Sequence, residues 1–269
     1  MFMAGFKRCA DADRVALLIT TFNWPEALNA VLTSVRNQTV LPDEILIADD
    51  GSHLATTAFL GELSTRFQLP IRHVWQPDRG FRVSRARNLA IRKTDCNYLI
   101  MIDGDCLLPP NFVANHLKLR KKQIMVSGGR YLLDRQRTAR ILSSTAPVSA
   151  SFHELKFQSV PLGSFIRDLR PMAWKSVRTC NFAVYRDDIL SVGGFDESYQ
   201  GWGLEDSDLV LRLLGQGVNI RSGRLAVCVK HLHHPPAGRG ALEHNTARFS
   251  SLIENVTEKK AYASHRGEF

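Results

Sequence analysis

The sequence predicts an α/β protein with a mostly parallel central sheet and helices on both faces. Three observations predict it. Val15-Ala16-Leu17-Leu18-Ile19-Thr20 and Glu44-Ile45-Leu46-Ile47-Ala48 are short apolar runs without alternation, as in strands covered on both sides. Segments with helical spacing separate such runs, giving the strand-helix-strand order of parallel sheets. Polar residues collect where the runs end, which is where an open α/β sheet presents its ligand-binding groups.

The elements follow in order. The first strand stops at Thr20-Thr21-Phe22-Asn23-Trp24, and Pro25-Glu26 opens a helix with Ala27, Leu28, Val31, Leu32 and Val35 on one face. The second strand ends in Asp49-Asp50-Gly51-Ser52, and a helical pattern runs through Phe59, Leu60, Leu63 and Phe67. Ile71 to Trp75 forms a third strand, Phe81 to Lys93 a helix with a basic start, and Asn97 to Ile102 a fourth strand ending in Asp103-Gly104-Asp105. A helix is predicted from about Pro110 to Lys122 and a fifth strand over Ile124 to Gly128. From Arg130 to Lys175 the period is lost, and short helices and loops, in part mobile, are expected. Cys180 to Tyr185 restores order; a short helix to Val192, the turn Gly193-Gly194-Phe195-Asp196, a helix from Glu205 to Gln216 and a last strand over Leu225 to Val229 follow. Leu242 to Lys260 carries a weak helical stripe. The expected organisation is a first half (1–129), a second half of the same domain (130–240) and a helical tail (241–269).

With 269 residues, 44% hydrophobic and 23% charged, the chain can bury a full core. Five scattered cysteines without a C-x-x-C pair predict reduced thiols and a cytoplasmic setting, not a disulfide frame or structural zinc. No apolar run approaches the roughly 20 residues of a membrane span. A formal charge of +9 predicts anionic partners, whether phosphorylated small molecules, acidic lipid headgroups or nucleic acid, without choosing among them.

Chemistry concentrates at three strand ends: Thr20 to Asn23, Asp49 to Ser52 and Asp103 to Asp105. Carboxylates one residue apart are costly to leave bare, and a divalent cation is a simple compensation. D-x-D alone is weak, because Asp11-Ala12-Asp13 and Asp206-Ser207-Asp208 also match it. A dinucleotide site needs G-x-G-x-x-G after the first strand, and no glycine stands there; no P-loop occurs either. Arg82, Arg85 and Arg87 precede the fourth strand, either as phosphate ligands or as a solvated helix face. Asp206 falls at the buried edge of a helix N-terminus behind a Gly-Trp-Gly loop, a place for a general base, with Glu205 beside it; Asp208, i,i+4 from Arg212, reads as a surface ion-pair partner. His231, His233 and His234 suit Mn²⁺ or Zn²⁺, His231 first and His234 second.

Together these stretches resemble the inverting family-2 glycosyltransferases of GT-A fold. The likeness is carried from about Val15 to His234 by Thr20-Thr21-Phe22-Asn23, Gln38-Thr39, Asp49-Asp50-Gly51-Ser52, Ala86-Arg87-Asn88, Asp103-Gly104-Asp105 and Gly193-Gly194-Phe195-Asp196 through Gly201-Trp202-Gly203-Leu204-Glu205-Asp206. The last block is similar to the C-terminal half of galactosyltransferase and N-acetylgalactosaminyltransferase domains. The resemblance implies a UDP-sugar donor, a saccharide or lipid-linked acceptor, and Mn²⁺ or Mg²⁺. It assigns Thr20, Thr21, Asn23, Asp50, Arg79, Arg87, Asp103 and Gly104 to the donor, and Asp105 with His231 or His234 to the metal. It also turns Trp202, Gly203 and Glu205 toward the acceptor, makes Asp206 the base with Glu205 beside it, and makes 1–129 the nucleotide-sugar-binding half and 130–240 the acceptor-binding and catalytic half. Ser207 departs from the pattern, since related galactosyltransferases carry a further acid there. A sugar-phosphate nucleotidyltransferase is the rival, but it needs a Gly-rich basic loop after the first strand. A nucleic-acid module is disfavoured because no aromatic residues are interleaved with the basic ones. Peripheral contact with the inner face of an anionic membrane is expected through the basic 130–175 region.

Overall fold

A computed structural model describes residues 13–67, 70–143 and 172–265. In chain order the elements are β1 (Val15–Thr21), α1 (Pro25–Arg36), β2 (Glu44–Asp49), α2 (Leu54–Phe67), β3 (Ile71–Trp75), α3 (Val83–Arg92), β4 (Tyr98–Asp103), β5 (Cys106–Leu107), α4 (Phe112–Leu119), β6 (Ile124–Ser127), β7 (Gly129–Leu132) and α5 (Arg135–Ser143). Then come β8 (Asn181–Tyr185), α6 (Arg186–Ser191), α7 (Glu205–Gly215), β9 (Asn219–Ser222), β10 (Cys228–His231) and α8 (Leu242–His265).

The predicted α/β architecture is present. A seven-stranded sheet runs β3-β2-β1-β4-β8-β6-β9. β3, β2, β1 and β4 are parallel, as expected for their unalternated sequences, and β2 is buried along its whole length. One apolar layer lies between the sheet and α1 (Leu28, Val31, Leu32, Val35), the other beneath α3 and α7 (Ala86, Ala90, Leu209, Leu213).

The later strands differ from a simple continuation. β8 inserts antiparallel between β4 and β6, so the predicted fifth strand is not β4's neighbour. The predicted strand over Leu225 to Val229 instead spans Cys228–His231, in a second sheet ordered β5-β10-β7. Its backbone hydrogen bonds go to Cys106-Leu107 and Gly129–Leu132, and that pairing, not apolar content, sets its limits. Part of the aperiodic region is regular: β7 and α5 lie within it, α5 burying only Thr138. The rest of the predicted loop region, 144–171, lies outside the described residues. Among the described residues, no helix is long and apolar enough to cross a membrane.

Candidate active site

Strand register brings the polar ends together. Thr20 pairs with Asp103 on one side and Ala48 on the other, and Thr21 pairs with Asp49, so the three predicted turns open at one level. The D-G-D turn lies against the end of β1, with the Gly104 amide donating to the Thr20 carbonyl at 2.7 Å. A Cβ on Gly104 would sit 2.9 Å from that carbonyl, which is why the middle residue carries no side chain.

The turn after β2 is internally satisfied. Asp49 accepts amides of Gly51 and Ser52 and meets His73 Nε2 at 2.8 Å; burial pushes its carboxyl up, but the bonds from His73 and Ser52 outweigh this and hold it low. Asp50 accepts the Arg82 amide at 2.7 Å and the Gln76 amide group; here burial wins and raises the carboxyl. Asn23, left-handed at φ 45°, clasps the same turn: its amide donates to Ser52 Oγ and its Oδ1 accepts the His53 amide. Thr21 is buried beside Gly104, and Arg79 is exposed on the β3–α3 loop.

Arg87 is the hub of the cleft, its side chain 5% exposed. Nε donates to Thr20 Oγ1 at 3.2 Å, Nη2 to Asp103 at 3.3 Å and Nη1 to Asp206 at 3.3 Å, with Glu205 3.6 Å away. The guanidinium lies over the Phe195 ring. Of the two alternatives for the basic segment, a solvated face fails for Arg87. Arg82 donates to the Pro77 carbonyl and Arg85 to Gln76.

Three carboxylates around one guanidinium leave uncompensated negative charge. Burial, reinforced by Asp206 and opposed by Arg87, pushes Glu205 up to about 7. Burial also pushes Asp103 up to about 6, against Arg87 and together with Asp105 and Asp206. Asp206 is held by a residue that sequence reasoning missed. Thr179 donates its hydroxyl to Oδ1 and its amide to Oδ2, the latter at 3.1 Å. No periodicity or charge marks Thr179, so no sequence signal could have found it.

Asp105, His231 and His234 form a three-ligand cluster whose donor atoms lie within 4.8 Å of one another. Asp105 Oδ2 is 3.5 Å from His231 Nε2 and 3.2 Å from His234 Nε2. Each Nδ1 bonds a backbone carbonyl, that of Leu232 for His231 and that of Pro235 for His234. Such bonds fix Nδ1–H and present the Nε2 lone pair, the usual support of a metal-binding imidazole. The donor set therefore fits a divalent cation, with both His231 and His234 engaged, although strict strand alternation would put them on opposite sides. β10 ends at His231, so the alternation does not extend to His234. His233 is turned away, its amide bonded to Thr138.

The Gly-Trp-Gly loop is left-handed at Gly201, Gly203 and Leu204 and presents Trp202, 42% exposed, with Arg239 over its ring. Asn245 of α8, fully buried, donates to the Gln200 and Gly203 carbonyls and pins the loop. Asp208 corrects the surface expectation. It is 3% exposed, bonded to Arg212 at 2.5 Å, and Arg212 in turn holds the carbonyls of Val192 and Gly194. Asn88 grips the same turn by bonding the Phe195 amide and carbonyl, and a Cβ on Gly194 would fall 2.5 Å from its Oδ1. Gln38 ties α1 to the Pro109 carbonyl and the Val113 amide. These two motif residues are architectural.

The sheet, with this acid cluster at its strand ends, has the GT-A fold. The chain belongs to glycosyl transferase family 2, whose model matches residues 16–193; that of the N-terminal domain of galactosyltransferase matches 165–235. Among curated relatives, validoxylamine A glucosyltransferase of Streptomyces hygroscopicus subsp. limoneus is 28% identical over 227 residues, covering 78% of this chain and 50% of that protein. The chain thus spans about half the length of that relative. The solved structure of GalNAc-T7 with UDP, GalNAc and Mn²⁺ superposes with a TM-score of 0.60 at 17% identity, over 84% of this chain and 45% of that one. The mannosyltransferase PcManGT of Pyrobaculum calidifontis with GDP-Man and Mn²⁺ gives 0.59 at 19% identity, over 91% and 65%.

Proposed function

We propose that this glycosyltransferase moves a sugar of the Gal, GalNAc, GlcNAc or Glc type from a UDP-linked donor to a hydroxyl of a saccharide or lipid-linked acceptor, with inversion. The observation that carries this reading is the pairing of two clusters at one sheet edge: Asp105, His231 and His234 beside the Arg87-centred acids. The two superposed enzymes were solved with nucleotides and Mn²⁺, in keeping with a nucleotide-diphosphate leaving group.

Asp105, His231 and His234 would hold Mn²⁺ or Mg²⁺, which when bound supplies positive charge for the leaving diphosphate. Thr20, Thr21, Asn23 and Asp50 line the end nearest β2, where the nucleoside fits; Asp50 keeps a lone pair for an imide N–H after its two present bonds. Asp103 and Gly104 lie between nucleoside and metal, and Arg79 at the rim serves the phosphates. Asp206 takes the acceptor proton at Oδ2, which accepts the Thr179 amide and has a second lone pair available. The acceptor oxygen then bonds the anomeric carbon as the bond to the diphosphate breaks and the pair leaves with it. Arg87, engaged by Thr20 and the acids, fixes the spacing of that base. Trp202, Gly203 and Glu205 shape the acceptor side. The work is expected at the cytoplasmic face of a membrane, in assembly of a surface polysaccharide or lipopolysaccharide.

A panel of UDP- and GDP-sugars, with Mn²⁺ and with EDTA, tests this by release of nucleoside diphosphate. Mn²⁺-dependent UDP release is expected, lost on EDTA treatment and in Asp105→Ala. Release that survives both overturns the metal assignment, and turnover confined to GDP-sugars overturns the donor.

A further inference from the structure

A cavity of about 450 Å³ is lined by Arg130, Arg178 and Arg224 with Cys180, Asn181 and Leu225, so that Arg178 and Cys180, the chain neighbours of Thr179, both border it. This is within the roughly 300–1,000 Å³ of small-molecule sites. No lining residue is acidic, and among the described residues none of the three arginines is in an ion pair. All three are exposed, and the Arg178 guanidinium is steadied by the Lys175 and Val177 carbonyls at 2.7 Å. Gly128 and Gly129 make the floor: a Cβ on the first would strike the Asn181 side chain, and one on the second would lie 3.1 Å from the Arg224 carbonyl.

Position decides what the cavity serves. It is built around β8, β7 and the start of β10, whereas Asp50 closes β2. β2 and β8 are three strand spacings apart, about 14 Å, so the nucleoside end does not reach it. Arg178 and Cys180 flank Thr179, which holds the base, and Cys228 begins the strand that ends in His231. The cavity therefore continues the acceptor side of the cleft.

We propose that this cavity is an acceptor subsite for an anionic group, a carboxylate or a phosphate carried by the acceptor about one sugar unit from the reacting hydroxyl. The proposal rests on the sugar-transfer reading of the adjoining cleft. Asp103, Asp105, Glu205 and Asp206 repel a negatively charged acceptor at the reaction point, and the three guanidinium groups of the cavity supply the compensating attraction. Guanidinium forks match both oxyanions.

The test is calorimetric binding of methyl glucoside, methyl glucuronide and the phosphate monoester of methyl glucoside to the full chain with UDP and Mn²⁺. At least tenfold tighter binding of one or both anions than of the neutral glycoside is expected, weakening with salt. Preference for the glucuronide assigns a uronic-acid unit, and preference for the ester a phosphate. The Arg178→Gln/Arg224→Gln variant should lose the preference, and so should Leu225→Glu, which places a carboxylate at an exposed cavity wall. Equal binding of all three glycosides, no anion binding, or a preference unchanged in both variants overturns the subsite. Donor hydrolysis in the same preparations reports separately on the transferase reading: its absence with anion binding intact counts against that reading and not against the cavity.

Discussion

Glu205 and Asp206 are adjacent acids on the same guanidinium, yet their surroundings divide their roles. Asp206 is fixed by Thr179 and Arg87, while Glu205 has burial and the Asp206 charge against it and Arg87 in its favour. Asp206→Asn removes a base already in position and should lower transfer by roughly 10²–10⁴ with Mn²⁺ binding unchanged. Full sugar transfer by this variant removes the assignment. Glu205→Gln should show itself in stability. Its carboxyl sits at about 7 in the fold against an ordinary 4.5, so the unfolded chain ionises first as pH rises. The fold therefore loses stability between those values, and the loss is constant above them. Glutamine abolishes it, so the variant should gain on the order of 3 kcal/mol at pH 8 and almost nothing at pH 4. Denaturant unfolding across that range reads the difference directly; an equal effect at both ends rules the explanation out.

Loop and helix act together at the Gly-Trp-Gly turn. The Gly201–Leu204 turn has three left-handed residues, a conformation that needs support from outside the loop, and Asn245 of α8 supplies two hydrogen bonds to it. Asn245→Ala should leave nucleotide-sugar hydrolysis within about twofold and raise the acceptor KM about tenfold, at a stability cost of about 1–3 kcal/mol for the orphaned carbonyls. Steady-state kinetics with acceptor varied separates these, and an unchanged KM discards the support role. Elements of this kind divide by how they could be read in the sequence. β1, β2 and β4 were legible because burial on both faces writes an unbroken apolar run. β5, β7 and β9 have two to four residues each and too little length for any period. The orientation of β8 was hidden because Asn181–Tyr185 is equally apolar in either direction. At the site, Asp105, Asp206 and the histidines stood out by residue type, whereas the burial of Arg87 did not, since the nearby Arg82 and Arg85 are of the same type and only half-buried. Asp208 misled for the complementary reason: an i,i+4 acid–base spacing is the same whether the pair is exposed or, as here, packed beneath Tyr199.

Across the molecule, the ends of β1, β2 and β4 carry Thr20, Asp49-Asp50 and the D-G-D turn, while α7 carries Glu205 and Asp206, β10 leads into the histidines, and β7 and β8 border the arginine cavity. The net charge of +9 is therefore carried outside a cleft that is itself acidic. One place where it collects is the outer surface of β7 and α5, where Arg135, Arg137 and Arg140 are exposed beside Tyr131 and Leu132, the last 61% exposed. Basic side chains with an adjoining apolar pair suit an anionic headgroup layer, and α5 meets the core only through buried Thr138 and half-buried Ile141 and Leu142, leaving its arginines on the outer face. At about 1 kcal/mol per basic residue near such a surface, the three arginines, less the charge of Asp134 that pairs with Arg137, give about 2 kcal/mol, a weak and reversible attraction. Sedimentation with vesicles of increasing phosphatidylglycerol content should rise with anionic fraction, fall as salt shortens the screening length, and be lost in Arg135→Glu/Arg137→Glu/Arg140→Glu while UDP-sugar hydrolysis continues. Binding that stays flat as the anionic lipid increases eliminates the membrane contact and leaves a soluble saccharide as the acceptor.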